Sequence, residues 1–149
     1  MEIADLLTSE RIFDAVRAND KPSLLGMLAR DAAKDVRLNE ADVAAALLGR
    51  EKLGSTGVGQ GIAIPHARMA GLARIHCALY KLSRPIEFGA VDDLPVDVVV
   101  VLLVPHSDER SGIQALSCIA RRLKSPGLLA EIRDKKRTTP LGELVLGRR

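Results

Sequence analysis

Residues 54–68 read Gly-Ser-Thr-Gly-Val-Gly-Gln-Gly-Ile-Ala-Ile-Pro-His-Ala-Arg, and this stretch decides the fold. Four glycines among its first eight residues permit a loop with positive φ angles and a close approach of the backbone to a ligand. The apolar run at 62–64 predicts a short buried strand, and Pro65 is expected to end it because proline donates no ladder hydrogen bond. His66 is therefore predicted at a strand end, facing a loop rich in donors. This arrangement indicates a histidine that carries a phosphoryl group.

The composition indicates one globular domain with an aliphatic core. The chain has 149 residues, of which 47% are hydrophobic and only 2% aromatic, so Leu, Val, Ile and Ala must fill the core. Charged residues make up 28%, which argues against disorder. A net charge of +3 with so few aromatic rings gives no reason to expect nucleic acid as a partner.

The two cysteines, Cys77 and Cys118, lie in apolar patterns that indicate buried, reduced thiols. Neither they nor the three scattered histidines have metal-ligand spacing, so no metal site and no cofactor are expected. The N-terminal residues lack the basic and apolar regions of a signal peptide. The apolar run at 98–104 is far shorter than the roughly 20 residues that cross a bilayer. We therefore expect a cytoplasmic protein without membrane insertion.

Apolar spacing predicts an α/β fold in a single domain over residues 1–149, with a mixed central β-sheet flanked by helices on both faces. Asp20 and Asn39 are predicted helix N-caps, and Arg50 is expected at the C-terminal end of the second helix. A helix at 113–124 is predicted to turn Ile113 inward. The predicted strands are 12–16, 62–64, 75–82 and 96–104, and the predicted helices are 22–36, 40–53, 113–124, 128–133 and 140–146.

Two motifs carry a family resemblance. Residues 50–57 read Arg-Glu-Lys-Leu-Gly-Ser-Thr-Gly, and residues 59–66 read Gly-Gln-Gly-Ile-Ala-Ile-Pro-His. Together they resemble the enzyme IIA phosphocarriers of the bacterial phosphoenolpyruvate-dependent phosphotransferase system. Within that system the chain is similar to the fructose/mannitol superfamily, in particular to its nitrogen-regulatory branch. The resemblance extends over nearly the whole chain.

The resemblance implies that His66 is the phosphoryl acceptor. The reaction needs a neutral imidazole, whose other ring nitrogen must be held by a hydrogen bond, for which carbonyls of the loop are candidates. In the family, the arginine matching Arg50 lies beside this histidine, and a guanidinium suits a group of roughly −1.5 to −2 charges. The alternative for Arg50 is a solvated cation at a helix end. The phosphate-binding loop is predicted to contribute Ser55, Thr56, Gly57 and Gly59, although its two hydroxyls could instead cap local backbone groups.

One position departs from the family pattern. Many relatives have a second histidine after the central strand, close to the active one, and the matching position is Gly112. His106 lies six residues earlier and could reach the site, or it could simply be exposed. Gln114 is another possible donor. The sequence therefore does not single out one orienting partner for His66.

The function that the resemblance implies is a phosphocarrier or regulator. A histidine-containing phosphocarrier protein is the expected phosphoryl donor, and a IIB domain, a potassium-transport protein or a sensor kinase is the expected downstream partner. The sequence contains no recognisable IIB or transmembrane segment, which favours the regulatory branch. One alternative is a binding module of the same fold with weak or no phosphotransfer because of Gly112. A phosphate-ester hydrolase is disfavoured, since neither a metal cluster nor a general base near His66 is visible.

Overall fold

The computed structural model describes residues 1–147 and is built around its most apolar strand, β6. The strands are β1 Ile12–Val16, β2 Gly57–Gly59, β3 Ile62–Ala63, β4 His66–Met69, β5 His76–Ile86 and β6 Val96–Pro105. The helices are α1 Lys21–Val36, α2 Glu40–Lys52, α3 Glu109–Leu123, α4 Leu128–Arg133 and α5 Leu141–Leu146, with 3₁₀ turns at Ile3–Asp5 and Ser9–Arg11.

The six strands form one mixed sheet in the order β1-β5-β6-β3-β2, with β4 also paired to β6. Strand β6 runs antiparallel to β5 and parallel to β3 and β4. Strand β1 is parallel to β5, and β2 is antiparallel to β3. All ten residues of β6 are buried, as expected for a strand that is covered on both faces.

Helices cover both faces of the sheet because β6 alternates between two apolar cores. Odd-numbered residues from Val99 to Leu103 join the core that contains α1 and α2. Even-numbered residues from Val98 to Val104 join the core that contains α3, α4 and α5. This alternation is the period of two that a strand imposes on its side chains. The predicted fold class is confirmed.

Both predicted helix caps are confirmed. The Asp20 carboxylate accepts the Ser23 N–H at 2.8 Å, and the Asn39 side chain accepts the Asp42 N–H at 3.1 Å. Each cap satisfies one backbone donor that has no partner inside the helix. The two cysteines are buried as expected, and burial raises the pKa of the Cys77 thiol.

Two predicted boundaries are wrong. Helix α3 begins at Glu109 rather than 113, because the Asp108 side chain accepts the Ser111 N–H at 3.2 Å and caps an earlier start. Ile113 is 63% exposed instead of facing the core, because the buried face of α3 follows Gly112, Ala115, Ile119 and Leu123. Strand β5 also continues past Pro85, since its pairing with β6 is irregular between Lys81 and Ile86 and the missing proline N–H interrupts no regular ladder. No helix within residues 1–147 is long and apolar enough to cross a membrane.

Candidate functional site

The site begins at an interruption in one edge of the β6 ladder. Strands β3 and β4 both run parallel to β6, and only the pair Ile64 and Pro65 separates them. The Pro65 carbonyl accepts the N–H of Leu102 at 2.9 Å, after which His66 pairs with Leu102. Proline therefore interrupts the strand instead of ending it, and the prediction that the strand ends at Pro65 is wrong. His66 is the first residue of β4, in a regular ladder.

A backbone carbonyl fixes the proton of the His66 ring. Nδ1 lies 2.7 Å from the carbonyl oxygen of Ile64. A carbonyl can only accept, so Nδ1 carries the hydrogen and donates it, and Nε2 keeps its lone pair. The predicted hydrogen bond to one ring nitrogen exists, but its acceptor belongs to the break after β3 and not to the glycine loop. The ring is thus held as the tautomer that makes Nε2 nucleophilic.

The surroundings of His66 keep its imidazole neutral. Burial lowers the pKa of His66, the Ile64 hydrogen bond raises it, the Arg50 charge lowers it, and the Glu51 charge raises it. The balance leaves this pKa below its ordinary value of 6.5. Neutral pH therefore favours the uncharged ring, which is the form that can attack an electrophile.

His66 lines a cavity of about 430 Å³ between α2, the end of β6 and the first half of α3. Its charged and titratable lining consists of Arg50, His66, Arg68, His106 and Glu109. Leu53 and Ile113 lie at its rim and are 85% and 63% exposed. Two exposed aliphatic side chains beside a largely apolar cavity that also holds charged groups can form part of a surface that contacts another protein.

Arg50 occupies the predicted position. It lies in the last turn of α2 and lines the same cavity as His66. One guanidinium nitrogen donates to the Gly54 carbonyl at 2.8 Å, which holds the side chain across the C-terminus of the helix. The structure therefore brings Arg50 and His66 together, sixteen positions apart in the sequence.

The glycine loop, residues 54–61, is not among the residues that line this cavity. Thr56 is buried, and the Ser55 hydroxyl accepts the Gly57 N–H at 3.0 Å. A Cβ at Gly57 would lie 2.6 Å from the Cβ of Ala90, and Gly59 has a φ of +93°. These residues shape a hairpin whose Thr56 carbonyl accepts the Ile64 N–H at 3.0 Å. Their predicted role in phosphate binding stays a prediction.

Glu51 is a positioning residue that the sequence analysis missed. Its carboxylate accepts the Thr56 N–H at 3.0 Å and the Thr56 hydroxyl at 2.6 Å, and Lys21 Nζ lies 2.7 Å away. Its side chain is only 5% exposed. The carboxylate thus ties the end of α2, next to Arg50, to the loop that supports β3. A charged residue beside Arg50 was the available signal, but its acceptor role depends on contacts that no local pattern predicts.

The three auxiliary candidates have different placements. Gly112 lies on α3 and lines the cavity, where a Cβ would meet the Val104 methyl groups at 2.9 and 3.1 Å. Its backbone is helical with negative φ, so the absence of a side chain lets α3 pack closely on β6. His106 lines the cavity and is exposed, whereas Gln114 is exposed and is not among the lining residues.

Arg68 and Glu109 are cavity residues that the sequence analysis did not single out. Arg68 follows His66 by two positions on β4, and its guanidinium lies 3.9 Å from the Glu109 carboxylate. Residues i and i+2 of a strand share a face. This signal was missed because residues 66–69 were not predicted as a strand.

The geometry suits one kind of chemistry. It combines a neutral ring nitrogen with a lone pair and two arginine side chains in one open cavity. Within residues 1–147, no group of three His, Cys, Asp or Glu side chains is placed to hold a metal ion. A nucleophile beside guanidinium groups can take up an anionic group such as a phosphoryl group and bind its oxygens.

The amino-acid sequence matches one protein family and one of its relatives over most of its length. Residues 5–146 match the family model described as "Phosphoenolpyruvate-dependent sugar phosphotransferase system, EIIA 2". Over 136 residues the chain is 41% identical to the nitrogen regulatory protein of Bradyrhizobium diazoefficiens, covering 91% of this chain and 89% of that protein.

Solved structures agree with this result. The nitrogen regulatory protein IIA-Ntr of Neisseria meningitidis superposes with a TM-score of 0.86 at 31% identity, over 97% of both chains. Enzyme IIA for mannitol from Escherichia coli, solved with phosphorylated enzyme IIB, superposes with a TM-score of 0.76 at 20% identity, over 95% of this chain and 98% of that chain. The second likeness shows a shared fold.

Proposed function

This chain belongs to the EIIA 2 family of the phosphoenolpyruvate-dependent sugar phosphotransferase system, in its nitrogen-regulatory branch, and we propose that it accepts a phosphoryl group on Nε2 of His66. The hydrogen bond from Nδ1 to the Ile64 carbonyl is the observation that carries this proposal. It leaves the lone pair on Nε2, in a ring that lines an open cavity with Arg50. The depressed pKa of His66 supports the same role.

In the transfer step, the Nε2 lone pair attacks the phosphorus of a phosphohistidine on the donor protein. The N–P bond at His66 forms while the N–P bond of the donor breaks, and the donor ring, which carries a proton on its other nitrogen, leaves as neutral imidazole with the bonding electron pair. The proton on Nδ1 stays on the ring, in its hydrogen bond to Ile64. Atoms and electrons balance without a further reactant.

Arg50 is proposed to bind the transferred group. Its guanidinium donates one hydrogen bond to Gly54. Its remaining N–H groups can therefore donate to phosphoryl oxygens, which charge-assisted hydrogen bonds hold well. The Arg50 charge also helps to keep His66 neutral before transfer.

The proposed donor is a histidine-containing phosphocarrier protein, and the proposed recipients are a IIB domain, a potassium-transport protein or a sensor kinase. Two observations support a protein as the partner. Leu53 and Ile113 form an exposed apolar rim next to His66. The mannitol enzyme IIA that shares this fold was solved in complex with phosphorylated enzyme IIB.

The test is to incubate the protein with enzyme I, a histidine phosphocarrier protein and phosphoenolpyruvate, and to measure its intact mass. We expect the mass of one phosphoryl group to be added, and lost again after mild acid because an N–P bond is acid-labile. Omission of the phosphocarrier protein is the control and should prevent the addition. An unmodified mass in the complete mixture would contradict the proposal.

A second candidate is a binding module of the same fold with weak or no phosphotransfer. Gly112 favours it, since α3 presents no imidazole to the cavity at this position. The same incubation combined with a pull-down separates the candidates, because a binding module would bind the phosphocarrier protein yet be modified slowly or not at all.

Restoring an imidazole at position 112 should accelerate transfer only if Val104 is made smaller. Gly112→His alone pushes a Cβ into the Val104 methyl groups, and such overpacking costs about 1–3 kcal/mol of stability. In Gly112→His/Val104→Ala the space is available. An added hydrogen bond to the phosphoryl group of about 1.5–3 kcal/mol corresponds to a rate gain of roughly tenfold or more. Phosphorylation rates and urea unfolding measure both effects.

Val104→Ala alone is the matched control, and its rate is the reference for the double variant. His106→Ala tests whether the exposed histidine already serves the site. Equal rates for the double variant and Val104→Ala, both folded, would show that the site gains nothing from a second imidazole.

A further inference from the structure

We propose that Arg68 is a second phosphoryl-binding residue. In the unphosphorylated protein Arg68 pairs with Glu109, and after transfer it leaves Glu109 and binds the phosphoryl group on His66. This inference rests on the proposed function. Arg68 and Glu109 are not among the predicted site residues, and their ion pair lies in the lining of the cavity.

The strand geometry places Arg68 on the correct side. His66 and Arg68 are the first and third residues of β4, paired with Leu102 and Val104 of β6 in an uninterrupted register. Side chains two positions apart in a strand point to the same face, about 7 Å apart along the chain. The Ala67 side chain, between them, joins the core on the α1 and α2 side, although Ala67 also lines part of the cavity. Both His66 and Arg68 line the cavity.

The contact between Arg68 and Glu109 is suited to exchange. The closest nitrogen and oxygen are 3.9 Å apart, and the two side chains are 53% and 72% exposed. Such exposed, long pairs contribute little to stability. Glu109 is the first residue of α3, where the helix N-terminus stabilises a carboxylate without any arginine. Release of Arg68 therefore leaves no buried, unpaired charge behind.

A phosphoryl group is the stronger partner for Arg68. It carries roughly −1.5 to −2 charges and three acceptor oxygens, against one negative charge on Glu109. Arg50 already donates one N–H to Gly54, and Gly112 contributes no side chain. Arg68 and the exposed His106 are the remaining lining side chains with donors. Of these two, Arg68 shares the strand and face of His66.

The experiment compares Arg68→Gln, Glu109→Gln and the control Arg110→Gln. Arg110 is an exposed arginine next to Glu109 on α3, and it does not line the cavity. We expect Arg68→Gln to be phosphorylated about tenfold more slowly, the loss of one charge-assisted hydrogen bond. Arg68→Lys should recover part of the rate. Glu109→Gln should be phosphorylated at an equal or up to about twofold higher rate. Arg110→Gln should match the unchanged protein.

A measurement without partner proteins separates phosphoryl binding from docking of the donor. After the donor proteins are removed, ³¹P NMR against pH reports the second pKa of the phosphoryl group on His66. A nearby guanidinium lowers that pKa, so Arg68→Gln should raise it and Arg110→Gln should not. The proposal is overturned if Arg68→Gln and Arg110→Gln share the same phosphoryl pKa. If even the unchanged protein is never phosphorylated, the proposed function itself has failed.

Discussion

His66→Ala should accept no phosphoryl group from the phosphocarrier protein, whereas the unchanged protein should accept one. Alanine has no lone-pair nitrogen, so no covalent intermediate can form at this position. The loss should be complete rather than partial, since within residues 1–147 neither His76 nor His106 has a ring nitrogen bonded to a backbone carbonyl as His66 does. Intact mass after incubation with phosphoenolpyruvate, enzyme I and the phosphocarrier protein measures the result.

The chain offers a matched control because it contains only three histidines. His106→Ala removes the other histidine that lines the cavity and should leave one phosphoryl group per molecule. The third, His76, is buried and lines no part of this cavity. A phosphoryl group on His66→Ala, or an acid-stable linkage on the unchanged protein, would show that the acceptor is elsewhere.

Among the single substitutions proposed, Glu51→Ala should lower the free energy of unfolding the most. It removes a carboxylate that is 5% exposed and leaves Lys21 and the Thr56 donors without their acceptor. Removal of one partner from a buried pair costs about 3–5 kcal/mol. Lys21 keeps its hydrogen bond to the Phe88 carbonyl, which reduces this cost. We therefore expect the free energy of unfolding to fall by about 2–4 kcal/mol, and Tm to fall by roughly 10 °C. Urea unfolding and calorimetry measure this change.

The contribution of Glu51 should also depend on pH. Burial raises the pKa of Glu51, but hydrogen bonds from Lys21 and Thr56 and the Lys21 charge outweigh it, so this pKa lies below its ordinary value. The stabilisation is therefore complete above the unfolded-state pKa and is lost as pH falls through the lower, folded-state pKa. The gap in unfolding free energy between the unchanged protein and Glu51→Gln should shrink between neutral pH and strong acid.

Glu40→Gln is the matched control for this prediction. Glu40 is an exposed residue in the first turn of the same helix, and such surface changes usually stay within about 0.5 kcal/mol. A gap between the unchanged protein and Glu51→Gln that is the same at every pH would contradict the assigned ionic role.

The features that could be predicted correctly are those that local sequence patterns encode. Caps at Asp20 and Asn39 act over three residues, and the alternation along β6 is visible in the chain itself. His66 and Arg50 were found through a motif that lies on both sides of one loop. The structure places both in one cavity, as that motif implied.

Long-range pairing explains what the sequence did not predict. Strand β4 was missed because Pro65 is a local stop signal, whereas the register with β6 continues beyond it. Without that strand, Arg68 could not be placed on the face of His66. Likewise, nothing near Thr56 in the sequence distinguishes a phosphate donor from a donor to Glu51, since both need the same hydroxyl. The steric role of Gly112 depends on Val104, which lies on a different element.

The carbonyl that holds the His66 ring has a consequence for mutational robustness. Where a side chain orients a catalytic histidine, a single codon change can remove that partner. Here the acceptor is the main-chain oxygen of Ile64, two residues before the histidine. Every amino acid carries that oxygen, so substitutions at position 64 that preserve the local backbone also preserve the reactive tautomer. Sequence drift around the site can therefore alter partners and rates while the histidine itself stays ready to react.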